Sequence, residues 1–199
     1  LGVLGDIFHS TPVLLSPPAP RFLCELGVVN QCVPSLFIPT LTTQATNAGV
    51  KAYDEYLNTN QYRSQYVLVG SNDGLFHAFN AANDPDGAGV LPFDNGTGEE
   101  AWAFIPPDMM PKLVRNMLGE RHEMMVDGTP MVRDIWVDGS GASPASNTPV
   151  VKEWDEYHTV AIFGRRQGGR GYTALDLSNP AAPRFLWSWP KPGTSEALQ

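Results

Sequence analysis

The sequence predicts an all-β fold, a partial β-propeller of four-stranded antiparallel blades with a short inter-blade helix and long loop insertions. Three observations predict it: a strand-and-hairpin segment that recurs, a tryptophan-bearing strand after each copy, and a composition rich in turn formers. Glycine and proline number 19 and 18 while charged residues make up only 17% of the chain. Such a balance favours many short strands joined by turns over long surface helices. With 199 residues, 42% of them hydrophobic, the chain is long enough for a folded body with a real core.

The first copy opens with "GDIFHSTPVLL" from Gly5, a strand candidate entered through Thr11-Pro12. A long insertion, Pro17 to Ser64, separates it from the second strand and ends "AYDEYLNTNQYRSQ", where Tyr53, Tyr56 and Tyr62 are expected to clamp it to the scaffold. Insertions of this length on rigid scaffolds often carry binding surfaces. Within it lie Cys24 and Cys32, eight apart, with no His/Cys cluster to complete a zinc site. A local disulfide, and so an oxidising compartment, is the expectation.

The strand "YVLVG" (Tyr66 to Gly70), the turn "SNDG", the strand "LFHAFN" and then "EEAWAFIP" complete the copy at Pro106. In "PPDMMPKLVRNMLGERHE", Met110, Leu113, Val114 and Met117 fall at helical spacing behind a proline. That predicts one or two turns of helix whose methionines pack against a blade.

The second copy begins with "MVDGTPMVRDIWV" from Met125, entered through Thr129-Pro130. After a Ser/Gly/Pro-rich loop from Val137 come "HTVAIFG", the turn "RRQGGRG", "YTALDL" and "RFLWSWP", ending at Pro190. Setting Ala78 against Ala174 matches Phe79 with Leu175 and Asn80 with Asp176. After an insertion it also matches Trp102 with Trp187 and Phe104 with Trp189. Four strand candidates in the same order, a glycine-marked hairpin and a terminal Trp are the pattern of a propeller blade. The reading is one blade over 5–106 with an insertion at 17–64, an inter-blade helix in 107–122, a second blade over 125–190 and a tail of 191–199. A propeller ring takes ~4 to 8 blades, so the chain is expected to be part of a longer propeller. Trp102, Trp187 and Trp189 are expected as large buried anchors. Asp73-Gly74 and Asp127-Gly128 are expected to be structural, with each aspartate bonding its own turn or holding neighbouring strands together.

Charge narrows the function classes. The net charge is −8 and the pI near 4.8, a balance that repels phosphate backbones and argues against nucleic acid as a partner. Apolar stretches are broken by Pro and polar residues, so no transmembrane helix is expected, and no secretory signal is visible at Leu1. In "NDPDGAG", Asp84 and Asp86 have the spacing of an EF-hand-type calcium loop, but Ala88 and Asn95 stand where two further ligands belong. An Asx-Pro-Asp-Gly turn accounts for the same residues, and Asp84 and Asp86 remain the metal candidates.

The four histidines, His9, His77, His122 and His158, show no metal or catalytic spacing and are expected to be structural. Ser10 follows His9 directly, which along a strand turns the two side chains to opposite faces. "RRQGGRGY" follows a strand but leads into another strand, so it is a tight hairpin with a basic tip and not a dinucleotide loop. No catalytic residue and no resident cofactor is assigned.

The ordered series "GDIFHSTPV", "AYDEYLNTNQYRSQYVLVGSNDGLFHAFNA", "GEEAWAFIPPDMM", "VDGTPMVRDIWV" and "TVAIFGRRQGGRGYTALDLSNP" resembles the C-terminal propeller of the PilY family of type IV pilus biogenesis factors and tip adhesins. The resemblance spans nearly the whole chain apart from the cysteine-bearing part of the insertion and the loop after Val137. It implies a non-enzymatic, secreted protein that passes the periplasm and outer membrane of a Gram-negative bacterium. It also implies action at the cell surface or pilus tip with minor pilins, supporting pilus extension, twitching motility and attachment to a host or abiotic surface. The family's calcium loop, Asp-x-Asp-x-Asp/Asn with a further Asp, has no counterpart in these residues, which leaves calcium to the full-length protein. Two alternatives stand beside this reading: a quinoprotein-like dehydrogenase propeller, and a structural propeller of an envelope complex.

Overall fold

A computed structural model of the chain describes residues 4–18, 43–82 (side chains from 51 onward), 96–119, 122–137 and 152–191. Strand β1 (Val13–Leu15) is followed by helix α1 (Thr43–Asn60), then β2 (Gln65–Gly70), β3 (Phe76–Ala82) and β4 (Glu100–Phe104). A 3-10 turn (Pro107–Met109) leads into helix α2 (Met110–Met117) and then β5 (Met131–Trp136). The chain closes with β6 (Tyr157–Gly164), β7 (Tyr172–Asp176) and β8 (Arg184–Trp189). The strands form two four-stranded sheets in sequence order, β1-β2-β3-β4 and β5-β6-β7-β8.

The repeat is visible in the register itself. Ala78 pairs with Trp102 across β3 and β4, and Ala174 pairs with Trp187 across β7 and β8. Both ladders slip by one residue at the same place, between Ala78 and Phe79 and between Ala174 and Leu175. A bulge in the same register position is a shared device for twisting the outer strand. Pro12 and Pro130 each precede the first strand of their sheet, where a missing N–H removes no ladder bond.

Contacts divide the chain into two compact units. The first comprises 1–16, 63–132 and 160–199, and holds the whole of the first sheet with most of the second. Its core runs between the sheets: Leu68, Phe76 and Ala78 of β2 and β3 meet Ala161, Phe163 and Leu175 of β6 and β7, all of them buried. Phe76 stacks on Phe163 with ring centroids 3.9 Å apart, and Phe104 stacks on Phe185. Met125 and Val126, just before β5, are buried against the same core.

Glycine lets that segment in: a Cβ on Gly70 would lie 2.5 Å from the Val126 carbonyl oxygen. Gly74, in the β2–β3 turn, has φ +94 and would set a Cβ 2.8 Å from the Met125 sulfur. A β-branched residue meets both penalties there, so Gly74→Val is expected to lower stability by at least ~1–2 kcal/mol. A thermal melt unchanged from the parent protein would show that this turn tolerates an L-residue.

The second unit comprises 17–62 and 133–159. The insertion is expected as a long loop; its second half is instead an 18-residue helix, α1. Ala52, Tyr53, Tyr56 and Leu57 line one face at helical spacing, and the first three are buried with Tyr157. At the helix end Gln61 Nε2 donates to Asn58 O, one of the last four carbonyls, while Thr59 Oγ1 and Asn60 Nδ2 add back-bonds to Glu55 O and Tyr56 O. Tyr53 and Tyr56 do clamp the insertion, whereas Tyr62 is exposed.

Two packing expectations fail. Trp187 and Trp189 are 44% and 56% exposed, not buried anchors, and Trp102 is only partly buried, with its Nε1 donating to Pro180 O. The rows Leu68-Ala78-Trp102 and Gly70-Phe76-Phe104 of the first sheet are covered by the second sheet. In their counterparts, Ile162-Ala174-Trp187 and Gly164-Tyr172-Trp189, Ala174 is buried but Ile162, Tyr172, Trp187 and Trp189 are exposed among the described residues. In α2, Met110, Val114 and Met117 face solvent; the methionine that packs inward is Met109, in the preceding 3-10 turn.

Candidate functional site

The first unit concentrates its polar side chains on three segments: the lead-in 5–11, the β2–β3 turn 71–74, and the lead-in 122–129. The two lead-ins touch position for position. The His9 N–H donates to Asp127 Oδ1 at 3.1 Å, and His9 Nδ1 lies 2.7 Å from Asp127 Oδ2. Ser10 Oγ donates to Gly128 O and accepts the Gly70 N–H. The Thr11 N–H donates to Thr129 Oγ1, which donates to His9 O. Asp127 is 1% exposed, so its oxygens rely on these partners for hydrogen bonding.

The turn ties into both lead-ins. Asn72 donates from its backbone to Asp6 O and from Nδ2 to Asp6 Oδ2, and its Oδ1 accepts the Met125 N–H. His122 Nε2 lies 2.8 Å from the other Asp6 oxygen. The Asn72 and His122 bonds hold the Asp6 carboxyl below its ordinary value.

Asp73 accepts the Gly5 N–H at 3.0 Å and the Leu75 N–H at 3.0 Å. It faces His77 Nε2 at 3.1 Å, while His77 Nδ1 lies 2.6 Å from Glu100 Oε1. Burial pushes the Asp73 carboxyl up, but the bonds from His77, Gly5, Ser71 and Leu75 outweigh it and leave it at about 2.

Arg165, expected at a basic hairpin tip, is in fact 1% exposed. Its Nε and Nη2 hold Asp108 bidentately at 3.0 and 2.7 Å. Nη2 also donates to Thr173 Oγ1 at 2.7 Å, and Nη1 is buried without a hydrogen-bond partner among the described residues. The hairpin reverses through a 3-10 turn (Arg166–Gly168) with Arg166 at φ 46. That reversal sends the Arg165 side chain inward and leaves Arg166 and Arg170 in solvent. Lys112 of α2 donates to Gly168 O, fastening the helix to the hairpin.

In the second unit Tyr53, Tyr56 and Tyr157 pack ring against ring. Tyr53 OH donates to Asp134 Oδ2, Thr159 Oγ1 to Asp134 Oδ1, and Tyr56 OH pairs with Thr159 Oγ1. Burial, the Asp134 charge and the Asp134 bond push the Tyr53 hydroxyl far up, so it stays neutral. Lys152 lies 4.8 Å over the Trp136 ring, and burial lowers its ammonium to about 8 against the opposing pull of Glu156.

What this arrangement does chemically is hold loops together. Asp73, His77, His9, Asp127 and Arg165 are turned onto scaffold partners. Among the described residues no three His, Cys, Asp or Glu side chains are grouped to hold a metal ion. Asp84 and Asp86, the calcium candidates, and Cys24 and Cys32 lie outside the described residues. Sequence spacing missed the histidine pairs because their partners come from other segments: Asp127 is 118 positions from His9 and Asp6 116 from His122. The nearest signal was a carboxylate four residues before His77. No helix among the described residues is long and apolar enough to cross a membrane, which says nothing of β-barrels.

Comparison with known proteins places these repeats. Residues 37–193 match the family described as PilY1 beta-propeller domain. The chain is 32% identical over 191 residues to the type IV pilus biogenesis factor PilY1 of Pseudomonas aeruginosa strain UCBPP-PA14, covering 94% of this chain and 12% of that protein. It is 28% identical over 187 residues to a PilY1 homolog of Xylella fastidiosa strain Temecula1, covering 94% of this chain and 11% of that one. The crystal structure of the Pseudomonas aeruginosa PilY1 C-terminal domain aligns with 76% of this chain and 24% of its own, at 27% identity and a TM-score of 0.44. The chain thus spans about one-eighth of the length of the curated relatives it matches. With the ordered motifs, the doubled four-stranded sheet and the match over 37–193 in agreement, the chain belongs to the PilY1 β-propeller family.

Proposed function

We propose that the chain is a protein-binding module of a type IV pilus-associated assembly factor, working without catalysis to support pilus extension and surface attachment. The observation that carries this reading is the family match over 37–193, joined to relatives named as type IV pilus biogenesis factors. The side-chain geometry supports it: the histidines and carboxylates of the first unit are spent on joining loops, which suits a rigid display scaffold more than a reaction centre. Its partners in this reading are minor pilins at the pilus tip and, through them, a host or abiotic surface. Its place is the cell surface of a Gram-negative bacterium.

The test is fractionation. Pili are sheared from cells that make the protein, separated from soluble and outer-membrane fractions, and blotted, with a pilin-deletion strain in parallel. Recovery in the pilus fraction that vanishes without pilin is the expected result. Recovery only as a soluble periplasmic protein, indifferent to pilin, overturns the reading.

A further inference from the structure

His77 sits on β3 with its side chain 4% exposed and both ring nitrogens against carboxylates. Neither Asp73 nor Glu100, when ionised, can donate a hydrogen bond, so both contacts are satisfied only when both ring nitrogens carry hydrogen. The geometry therefore calls for the imidazolium. Across the ladder His77 is paired with Val69 and Ala103, and Phe79 stacks beside it on its own strand. Among the described residues the charged groups facing the ring are Asp73, from the β2–β3 turn, and Glu100, from β4.

We propose that His77 is a proton-operated clamp that ties the β2–β3 turn to the first residue of the outer strand β4 and lets go of β4 when the proton leaves. The two carboxylates differ in what else holds them. Asp73 is fixed by the Gly5 and Leu75 N–H groups. Glu100 is 45% exposed and shows no further hydrogen bond or ion pair among the described residues. A neutral ring retains one N–H and keeps it on anchored Asp73, and its other nitrogen then presents a lone pair to Glu100. The Glu100 carboxylate, repelled and within reach of water, turns outward. Its backbone position, Phe79 opposite Glu100, follows the register shift of the bulge, so the release falls on an irregular part of the β3–β4 pairing.

The sign of the pH dependence follows. Burial pushes the His77 imidazolium toward losing its proton, but the bonds and charges of Asp73 and Glu100 outweigh it, and the group is raised above 6.5. A raised histidine contributes stability that is full below 6.5 and lost as pH rises through the folded-state value. Asp73, depressed from 3.8 to about 2, contributes stability that is present above 3.8 and lost as pH falls toward 2. The clamp is closed between these limits and opens on the alkaline side.

Two measurements on the full-length protein test it, and neither depends on the pilus reading. Mass-spectrometric exchange of the histidine C2 hydrogen gives the titration midpoint of His77, expected above 6.5. Amide exchange of a peptide spanning residues 99–105, corrected for intrinsic rates, is followed from about pH 6 to pH 9 in the parent and in Glu100→Gln. The parent peptide is expected to gain about tenfold in exchange over that range, while Glu100→Gln, which carries no charge to repel, stays flat. A His77 midpoint at or below 6.5 overturns the proposal, as does a flat parent profile or an equal rise in the variant. The histidine midpoint and the parent amide-exchange profile are both measured on the parent protein, so the proposal can be overturned even if the variant folds poorly.

Discussion

Replacing Arg165 by alanine is expected to remove about 3 kcal/mol of stability, and more if Asp108 cannot reach water. The guanidinium is buried and makes three charge-assisted bonds, two to Asp108 and one to Thr173. Removing it leaves the Asp108 carboxylate, 20% exposed, without its counter-charge in the space between the 3-10 turn and the hairpin. That partial exposure is why the lower part of the usual range of ~3–5 kcal/mol applies. Lysine is not a substitute, because a single ammonium cannot hold a carboxylate bidentately. Urea melts of Arg165→Ala, Asp108→Asn and the double variant form the decisive cycle. A coupling below about 0.5 kcal/mol would show that the pair is an ornament of the fold and not a fastener.

A methyl group at Gly168 is expected to do more harm. Its Cβ would lie 1.7 Å from the Met125 carbonyl oxygen and 2.5 Å from the carbonyl carbon. Both sides of this contact are backbone, so no rotamer change relieves it, and the hairpin and the 124–127 segment must separate. That separation strains the Lys112 bond to Gly168 O and the Asn72 bond to the Met125 N–H, and opens the core where Met125 is fully buried. We expect Gly168→Ala either to fail to fold or to melt more than about 10 °C below the parent. Gly119→Ala serves as the control, since a Cβ there meets nothing within 4 Å and only its φ of +71 is penalised. A loss no larger than in that control would mean that the hairpin is not seated on Met125 as described.

Much of the scaffold was legible in the sequence because it rests on short-range pattern. Matching Ala78 with Ala174 and Trp102 with Trp187 anticipates the observed pairing of each alanine with its tryptophan. Alternation and turn residues carry that information locally. Helix α1 was hidden inside an insertion whose tyrosines could equally have anchored a loop. Its stability comes from docking Tyr53 and Tyr56 against Tyr157, a contact no window of neighbouring residues contains. The direction of Arg165 was hidden for a similar reason: a run of arginines and glycines reads as a solvated tip, and only the Arg166 backbone and the position of Asp108 turn the first arginine inward. Tryptophans 187 and 189 were assigned to the interior by residue type, yet burial is decided by what covers the sheet face. The covering neighbour is present for β4 and absent among the described residues for β8.

The lead-in contacts carry one more consequence. His9 meets Asp127, Ser10 meets Gly128 and Thr11 meets Thr129, each pair separated by the same 118 positions. A two-fold relation would let each residue of a pair be answered by its mirror elsewhere in the seam. Here every residue meets its own counterpart one repeat later, as in a stack of like parts. Perfectly identical repeats would then set histidine on histidine or aspartate on aspartate at this point, with nothing to neutralise the buried carboxylate. The contact exists because the two copies have drifted apart at one position into a ring nitrogen and a carboxylate that can share a hydrogen bond. Making the copies alike at this position would destroy the pair: their divergence is part of the adhesive between them.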